Sequence, residues 1–91
     1  MFRLGELFCG PGGMALGAGL AGEHPVIGQH GEHYTISHVW GVDKDPDAIE
    51  TYKVNVAARF GGEGLCTDAL EFVENMTAEQ KQINALAFGF P

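Results

Sequence analysis

Hydrophobic positions along the chain repeat every second residue in some stretches and at helical spacing in others. Residues 4–8 form a short apolar run suited to a first strand, and residues 34–42 alternate as a second. Leu65 and Cys66 indicate a brief third strand, and the apolar run 83–88 predicts a fourth, fully buried strand. Strands that alternate with helices predict an α/β fold with a mainly parallel sheet, half of a doubly wound domain.

Helical segments separate these strands. The first begins near Met14 and ends near Gly22. The second is expected to be capped by Asp45, to begin at Pro46 and to stop at the glycine pair 61–62. Its apolar face comprises Ile49, Tyr52, Val56 and Phe60. A short third helix is expected after Asp68, with Leu70, Val73 and Met76 aligned on one face, and Thr77 with Gln80 could form a capping box. Residues 23–33 are predicted to form a loop.

Composition limits what such a domain can be. The 91 residues suffice for one small domain, and no apolar run approaches the roughly 20 residues of a membrane span. The start of the chain lacks the pattern of a secretory signal, and Cys9 and Cys66 form no Cys-x-x-Cys pair, so a soluble, cytoplasmic protein is expected. The formal charge of -7, from 12 acids against 5 bases, indicates that this segment alone does not hold DNA.

The glycine-rich segment 6–13, Glu-Leu-Phe-Cys-Gly-Pro-Gly-Gly, follows the first predicted strand. Glycines there let a ligand approach the backbone, and the next helix offers free N–H groups. The spacing Gly10-x-Gly12-x-x-Ala15 also fits a dinucleotide fingerprint, or simply a tight turn. Pro11 removes an N–H donor that a pyrophosphate would use, and the acid inside the first strand, Glu6, suits a cationic ligand instead.

Two acids follow the next two predicted strands. Asp43 ends the second strand, where a carboxylate can accept hydrogen bonds from a ribose diol. Asp45 is better placed to cap the following helix, which leaves Asp43 for a ligand. Asp68 ends the third strand and could accept from an exocyclic amine or cap the helix after it. Because parallel strands end at one edge of a sheet, the acids and the glycine loop are expected to lie together.

A resemblance follows from these segments and the last one, Ala87-Phe-Gly-Phe-Pro91. Together with the segment 6–13, the pair Val42-Asp43 before a helix, and Asp68, it resembles the opening of the cytosine 5-methyltransferase family of DNA-modifying enzymes. The resemblance extends over residues 3–91. It implies a Rossmann-like, S-adenosylmethionine-dependent methyltransferase fold, of which residues 1–91 supply the first four strands and the cofactor-binding half.

The resemblance also implies roles for particular residues. Phe8, Gly10, Gly12 and Gly13 would line the methionine and ribose, and Asp43 would hold the ribose hydroxyls. Lys44, where the family often has an aromatic residue, would lie beside the adenine. The remaining cofactor-binding residues are Cys9, Asp68, Ala69 and Pro91.

No catalytic residue is expected within the chain, because the family's nucleophilic cysteine directly follows the proline that matches Pro91. In the family, that thiolate adds to C6 of a cytosine flipped out of duplex DNA, a methyl group passes to C5, and S-adenosylhomocysteine is the product. A separate recognition region reads the DNA. The chain alone is therefore expected to be inactive, with duplex DNA bound through the parent protein.

Other interpretations stay open at this point. A nicotinamide or flavin dinucleotide-binding oxidoreductase domain is one, and a non-catalytic cofactor-binding module is another. Cys9 is expected to pack rather than to react, and the pair His30-x-x-His33 is not expected to bind zinc. The fourth strand should form an exposed apolar edge, through which the chain could self-associate.

Overall fold

The computed structural model describes residues 1–23 and 35–89. Its four strands are β1 (Phe2–Leu7), β2 (Ile36–Asp43), β3 (Glu63–Cys66) and β4 (Ala85–Phe88). They form one sheet in the order β3-β2-β1-β4, and every pair of neighbours is parallel. The predicted α/β class and the parallel, Rossmann-like half sheet are therefore confirmed. The predicted loop 23–33 and the start of the predicted second strand fall largely outside the described residues.

Helices connect the strands on both faces of the sheet. Helix α1 (Gly13–Glu23) follows β1, and α2 (Pro46–Tyr52) follows β2. Helix α2 continues through a π-helical turn (Lys53–Ala57) into the short α3 (Ala58–Phe60), and α4 (Ala69–Glu74) follows β3. Asp45 caps α2 as predicted, because its Oδ1 accepts a hydrogen bond from Asp47 N–H at 3.0 Å.

Two apolar clusters hold the layers together, one on each face of the sheet. The first joins Ile49, Tyr52 and Val56 of the α2–α3 helix to Cys9 and Ala15. The second packs Trp40 and Val42 of β2 against Phe72 of α4, with the Trp40 and Phe72 ring centroids 4.6 Å apart. The predicted apolar face of the second helix is confirmed in the first cluster, where Phe60 is partly buried.

A register shift lets His38 and Trp40, two positions apart on β2, pack on opposite faces of the sheet. The pairing with β1 runs from Leu4 opposite His38 to Gly5 opposite Trp40, so β2 contains one extra residue. As a result His38 Nε2–H donates to Ala15 O at 2.8 Å and the His38 ring stacks on Phe60, whereas Trp40 packs on Phe72 on the other face of the sheet. Without this bulge, residues two apart on a strand would share a face.

The last third of the chain departs from the sequence predictions. Helix α4 buries Phe72 and leaves Leu70 (66% exposed) and Val73 (46%) in solvent, so the predicted apolar face was wrong. The reason is the aromatic contact of Phe72 with Trp40, which sets the rotation of this short helix. Thr77 and Gln80 do exchange capping hydrogen bonds, but around a turn rather than a helix.

Strand β4 lies at the edge of the sheet and is not fully buried, contrary to the prediction. Its side chains alternate, with Leu86 52% exposed and Phe88 62% exposed. Among the described residues β4 pairs only with β1, so its other edge is unpaired. At its start, Arg3 and Asn84 are joined twice: Arg3 N–H donates to Asn84 Oδ1 at 2.7 Å, and Asn84 N–H donates to Arg3 O at 3.1 Å.

We predict that Gly12→Ala lowers the free energy of unfolding by about 2 kcal/mol, measured by urea denaturation. Gly12 has a φ of +98°, and a Cβ there would lie 2.8 Å from Val56 Cγ2 and 3.0 Å from Tyr52 Cδ2. Gly17→Ala is the control, because nothing lies within 4 Å of a Cβ at that helical position. It should stabilise the chain by up to about 1 kcal/mol. Equal effects of the two substitutions would contradict this packing.

Candidate functional site

The loop between β1 and α1 has an unusual backbone. Phe8 is the only non-glycine residue of the described chain with a positive φ, +54°, and Gly10 and Gly12 follow at +55° and +98°. The loop is tied to the end of β2 by Cys9 N–H, which donates to Val42 O at 3.0 Å. Gly12 N–H donates to Cys9 O at 3.2 Å and closes the turn. The glycine-rich segment thus forms a tight turn at the carboxyl end of β1.

Asp43 joins this loop to the next helix. Its Oδ2 accepts a hydrogen bond from Gly10 N–H at 3.0 Å, and its Oδ1 accepts one from Asp45 N–H at 2.9 Å. From the sequence, capping by Asp45 is expected to leave Asp43 for a ligand. In the structure both carboxylate oxygens already hold backbone donors. Each oxygen keeps a further lone-pair direction for another donor.

A cavity of about 250 Å³ opens at the carboxyl ends of β1, β2 and β3. Its lining combines one aromatic ring, aliphatic groups, three carboxylates and one ammonium, from Phe8, Val42, Asp43, Lys44, Asp45, Thr67, Asp68 and Ala69. Five of these, Phe8, Asp43, Lys44, Asp68 and Ala69, are residues that the sequence analysis selected. The volume lies just below the roughly 300–1,000 Å³ of whole ligand pockets, so it fits part of a nucleoside-sized ligand.

Sequence reasoning missed Val42, Asp45 and Thr67 as lining residues. Each adjoins a selected acid or lies two residues from one, so their position beside the strand ends was the available signal. Conversely, Cys9, Gly10, Gly12 and Gly13 do not line the cavity. The first three belong to the loop beside it, and Gly13 begins α1. Pro91 lies outside the described residues.

Asp68 combines the two roles that the sequence left open. Its Oδ2 accepts hydrogen bonds from Leu70 N–H at 3.1 Å and Glu71 N–H at 3.2 Å, so it caps α4. The same side chain lines the cavity. A carboxylate that caps a helix through one oxygen can still present the other to a ligand amine.

Two larger depressions are lined mainly by other residues, although one of them shares Thr67 with this cavity. One, of about 490 Å³, lies at the amino ends of the strands among residues such as Arg3, Ser37 and Glu63. The other, of about 480 Å³, lies beside β3 and α4. Ligands of open α/β sheets bind beyond the carboxyl ends of the strands, so the smaller cavity is the candidate site.

Beneath the loop, β1 carries a buried carboxyl group. Glu6 is 3% exposed, its Oε2 has no hydrogen-bond partner among the described residues, and burial raises its pKa to about 7. Burial, followed by the nearby charges of Glu6 and Asp43, raises the pKa of the Cys9 thiol to about 12. A thiol that stays protonated is a poor nucleophile, which agrees with a packing role for Cys9.

The described residues hold no group of three His, Cys, Asp or Glu side chains that could bind a metal ion. His24, His30 and His33 lie outside the described residues, so the prediction about zinc stays a prediction. In the described part of the chain no helix has the length and apolar character needed to cross a bilayer.

Comparison with known proteins identifies the family. The family model for C-5 cytosine-specific DNA methylases matches residues 2–91. The chain belongs to this family. A Type II methyltransferase from Brevibacillus brevis, M.BbvI, is 40% identical over 92 residues, which cover 99% of this chain and 24% of that protein. The chain therefore spans about a quarter of the length of this relative. No solved structure matches the chain.

Membership in the C-5 cytosine-specific DNA methylase family confirms the resemblance found in the sequence. The family match includes both the glycine-rich loop and the acids at the ends of β2 and β3. It favours a methyltransferase parent over the dinucleotide-binding oxidoreductase that the glycine spacing alone allowed. The roles of the individual site residues stay predictions.

We predict that Glu6 makes the stability of the chain depend on pH. Its folded pKa of about 7 exceeds the ordinary value of 4.5, so folding favours the protonated carboxyl. Its contribution to stability is fully present below about pH 4.5 and is lost as the pH rises through about 7. The free energy of unfolding should fall by about 3 kcal/mol over this range. Urea denaturation at several pH values, with Glu6→Gln as the comparison, measures this difference.

Glu6→Gln should gain stability relative to the native chain as the pH rises from about 4.5 to about 7, and the gain should level off above pH 7. Glu74→Gln, which removes an equal charge from an exposed helical position, is the control and should leave the native pH profile nearly unchanged. A Glu6→Gln profile parallel to that of the native chain would contradict the burial of an unpaired carboxyl.

Proposed function

We propose that this chain is the S-adenosylmethionine-binding part of a DNA cytosine 5-methyltransferase. The observation that supports this most is the cavity at the carboxyl ends of three parallel strands, where Phe8, Asp43 and Asp68 meet. These residues come from separate segments of the sequence, each directly after a strand. The family model, which matches almost the whole chain, supports the same reading.

The cavity suits the adenosine half of the cofactor. The exposed ring of Phe8 and the aliphatic groups of Val42 and Ala69 provide apolar walls for a purine. Asp43 offers its remaining lone pairs to the ribose hydroxyls, and Asp68 offers an acceptor to the exocyclic amine. The stem of Lys44 can lie along the base while its ammonium stays in solvent.

Charge at the site favours a cationic ligand over a pyrophosphate. Three carboxylates and one ammonium line the cavity, and Glu6 lies buried below the loop. The loop itself contains no Lys or Arg, and Pro11 lacks an N–H donor. A pyrophosphate would meet repulsion here, whereas a ligand with sulfonium and ammonium groups would be attracted. This is the physical argument against the dinucleotide alternative.

The glycine loop supplies the close approach that the methionine half needs. Gly10 leaves the loop surface free of a side chain, because nothing lies within 4 Å of a Cβ there, whereas the lack of a side chain on Gly12 lets the loop pack on Val56 and Tyr52. When bound, the cofactor supplies an electrophilic methyl group on sulfur, and S-adenosylhomocysteine remains after transfer. The residues of this chain bind and orient it.

The activity that we propose belongs to the parent protein. There the methyl group passes to C5 of cytosine in duplex DNA, with a cysteine expected directly after Pro91 as the nucleophile. With a net charge of -7, this segment is a poor surface for DNA phosphates, so the DNA contacts belong to other parts of the parent. We expect a cytoplasmic protein, and no methyl transfer to DNA by residues 1–91 alone.

Titration calorimetry tests cofactor binding. We predict that S-adenosylmethionine and S-adenosylhomocysteine bind the chain and that NAD does not. Asp68→Asn should weaken binding by about tenfold, because the amide keeps the helix cap but loses the charged acceptor. Glu71→Gln, one turn along and outside this cavity, is the matched control and should bind as the native chain does. Binding of NAD alone would contradict the proposed function.

We further propose that copies of this chain associate through the edge of β4. The strand carries no charge or proline that would protect its unpaired edge, and Leu86 and Phe88 are more than half exposed. Sedimentation velocity should show a concentration-dependent dimer, and Phe88→Lys should raise its dissociation constant by about tenfold or more. Leu70→Lys, at an exposed apolar position on α4, is the control. A monomer at all concentrations would contradict the association.

A further inference from the structure

The backbone around Phe8 adopts a conformation that its own side chain disfavours. Phe8 has a φ of +54°, in the left-handed region where a Cβ crowds the following carbonyl. Such a conformation persists only when surrounding contacts hold it. The consequence for the site is that the turn brings the Phe8 ring to the wall of the cavity. Some contact must therefore restrain the loop on the cavity side.

Two hydrogen bonds connect this loop to the end of β2. The first runs between main-chain groups, from Cys9 N–H to Val42 O at 3.0 Å. The second runs from Gly10 N–H to Asp43 Oδ2 at 3.0 Å and has an ionised acceptor. Hydrogen bonds to charged groups are the stronger kind. Asp43 is itself oriented by Asp45 N–H, which donates to its other oxygen at 2.9 Å.

We infer that Asp43 is a positioning residue that clamps Gly10, and through it Phe8, before any ligand binds. The acid that the proposed function assigns to the ribose hydroxyls thus also holds the loop whose Phe8 lines the same cavity. The clamp uses one lone-pair direction on each carboxylate oxygen and leaves one on each for a ligand. A bound diol would donate to the remaining lone pairs of Asp43. The hydrogen bonds from the backbone would stay in place, and the loop would not be displaced.

The clamp requires a carboxylate at position 43 and cannot be formed fully by an amide of the same shape. In Asp43→Asn the carbonyl oxygen can accept from Gly10 N–H or from Asp45 N–H, and the amide nitrogen can accept from neither. One backbone donor loses its partner, and the amide N–H groups face it instead. The clamp therefore requires two oxygen acceptors at this position, which a ligand-binding role alone would not require in the ligand-free chain.

Amide hydrogen exchange by NMR on the ligand-free chain tests this inference. In the native chain, the Gly10 amide should exchange at least about tenfold more slowly than an unprotected peptide amide. In Asp43→Asn, whichever amide loses its acceptor, that of Gly10 or that of Asp45, should exchange about tenfold faster than in the native chain. The Gly61 amide, which donates to Ala57 O at 2.9 Å and has no contact with Asp43, should keep its rate.

Asp47→Asn removes the same charge four residues away and serves as the matched control, with Gly10 exchange expected to stay native. A general loss of stability in Asp43→Asn would speed Gly61 as well as Gly10 and would overturn the clamp as a local device. An unprotected Gly10 amide in the native chain would overturn it without any variant. These measurements are made without cofactor, so their outcome is independent of the calorimetry. The clamp can be present in a chain that fails to bind S-adenosylmethionine, and a chain that binds it can lack the clamp.

Discussion

The parallel pairing of β2 with both β1 and β3 is the constraint on which the candidate site depends. At the end of β2, Val42 lies opposite Leu7 of β1 and Asp43 lies opposite Cys66 of β3. Because the strands run the same way and end at the same level, the residues that follow them converge on one edge. Phe8, Asp43 and Asp68 reach one cavity for this reason. A shift of one residue in the β1–β2 register would move Glu6 and Leu7 each to the face of the sheet that the other now occupies, and would separate the loop from Asp43.

Carboxyl groups at two depths are the second organising feature. At the surface of the cavity, Asp43 and Asp68 are held by backbone N–H groups, so their positions do not depend on a ligand. Below the loop, Glu6 lies on β1 with one oxygen that has no partner among the described residues. The site is therefore assembled by hydrogen bonds to carboxylates and retains acceptors for a cationic, hydroxyl-bearing ligand. Membership of the chain in the cytosine-specific DNA methylase family is consistent with such a ligand.

Sequence patterns predicted what depends on local chemistry. Apolar periods located four strands and three helical segments. The strand ends indicated Asp43 and Asp68 of the cavity, and the family resemblance added Phe8, Lys44 and Ala69. Long-range contacts decided the rest. The rotation of α4 follows from the packing of Phe72 on Trp40, and the exposure of Leu86 and Phe88 follows from the place of β4 at the edge. The two hydrogen bonds of Asp43 join positions 33 residues apart and 2 residues apart, and only the second has a local signature.

The central claim is that the carboxyl edge of this sheet binds S-adenosylmethionine, and a two-dimensional amide NMR titration tests it most directly. Added cofactor should shift the amide signals of Phe8, Gly10, Lys44 and Ala69. Signals at the amino ends of the strands, such as Ser37 and Gly62, should stay in place. Shifts confined to the amino ends, or no shifts at saturating cofactor, would contradict the account.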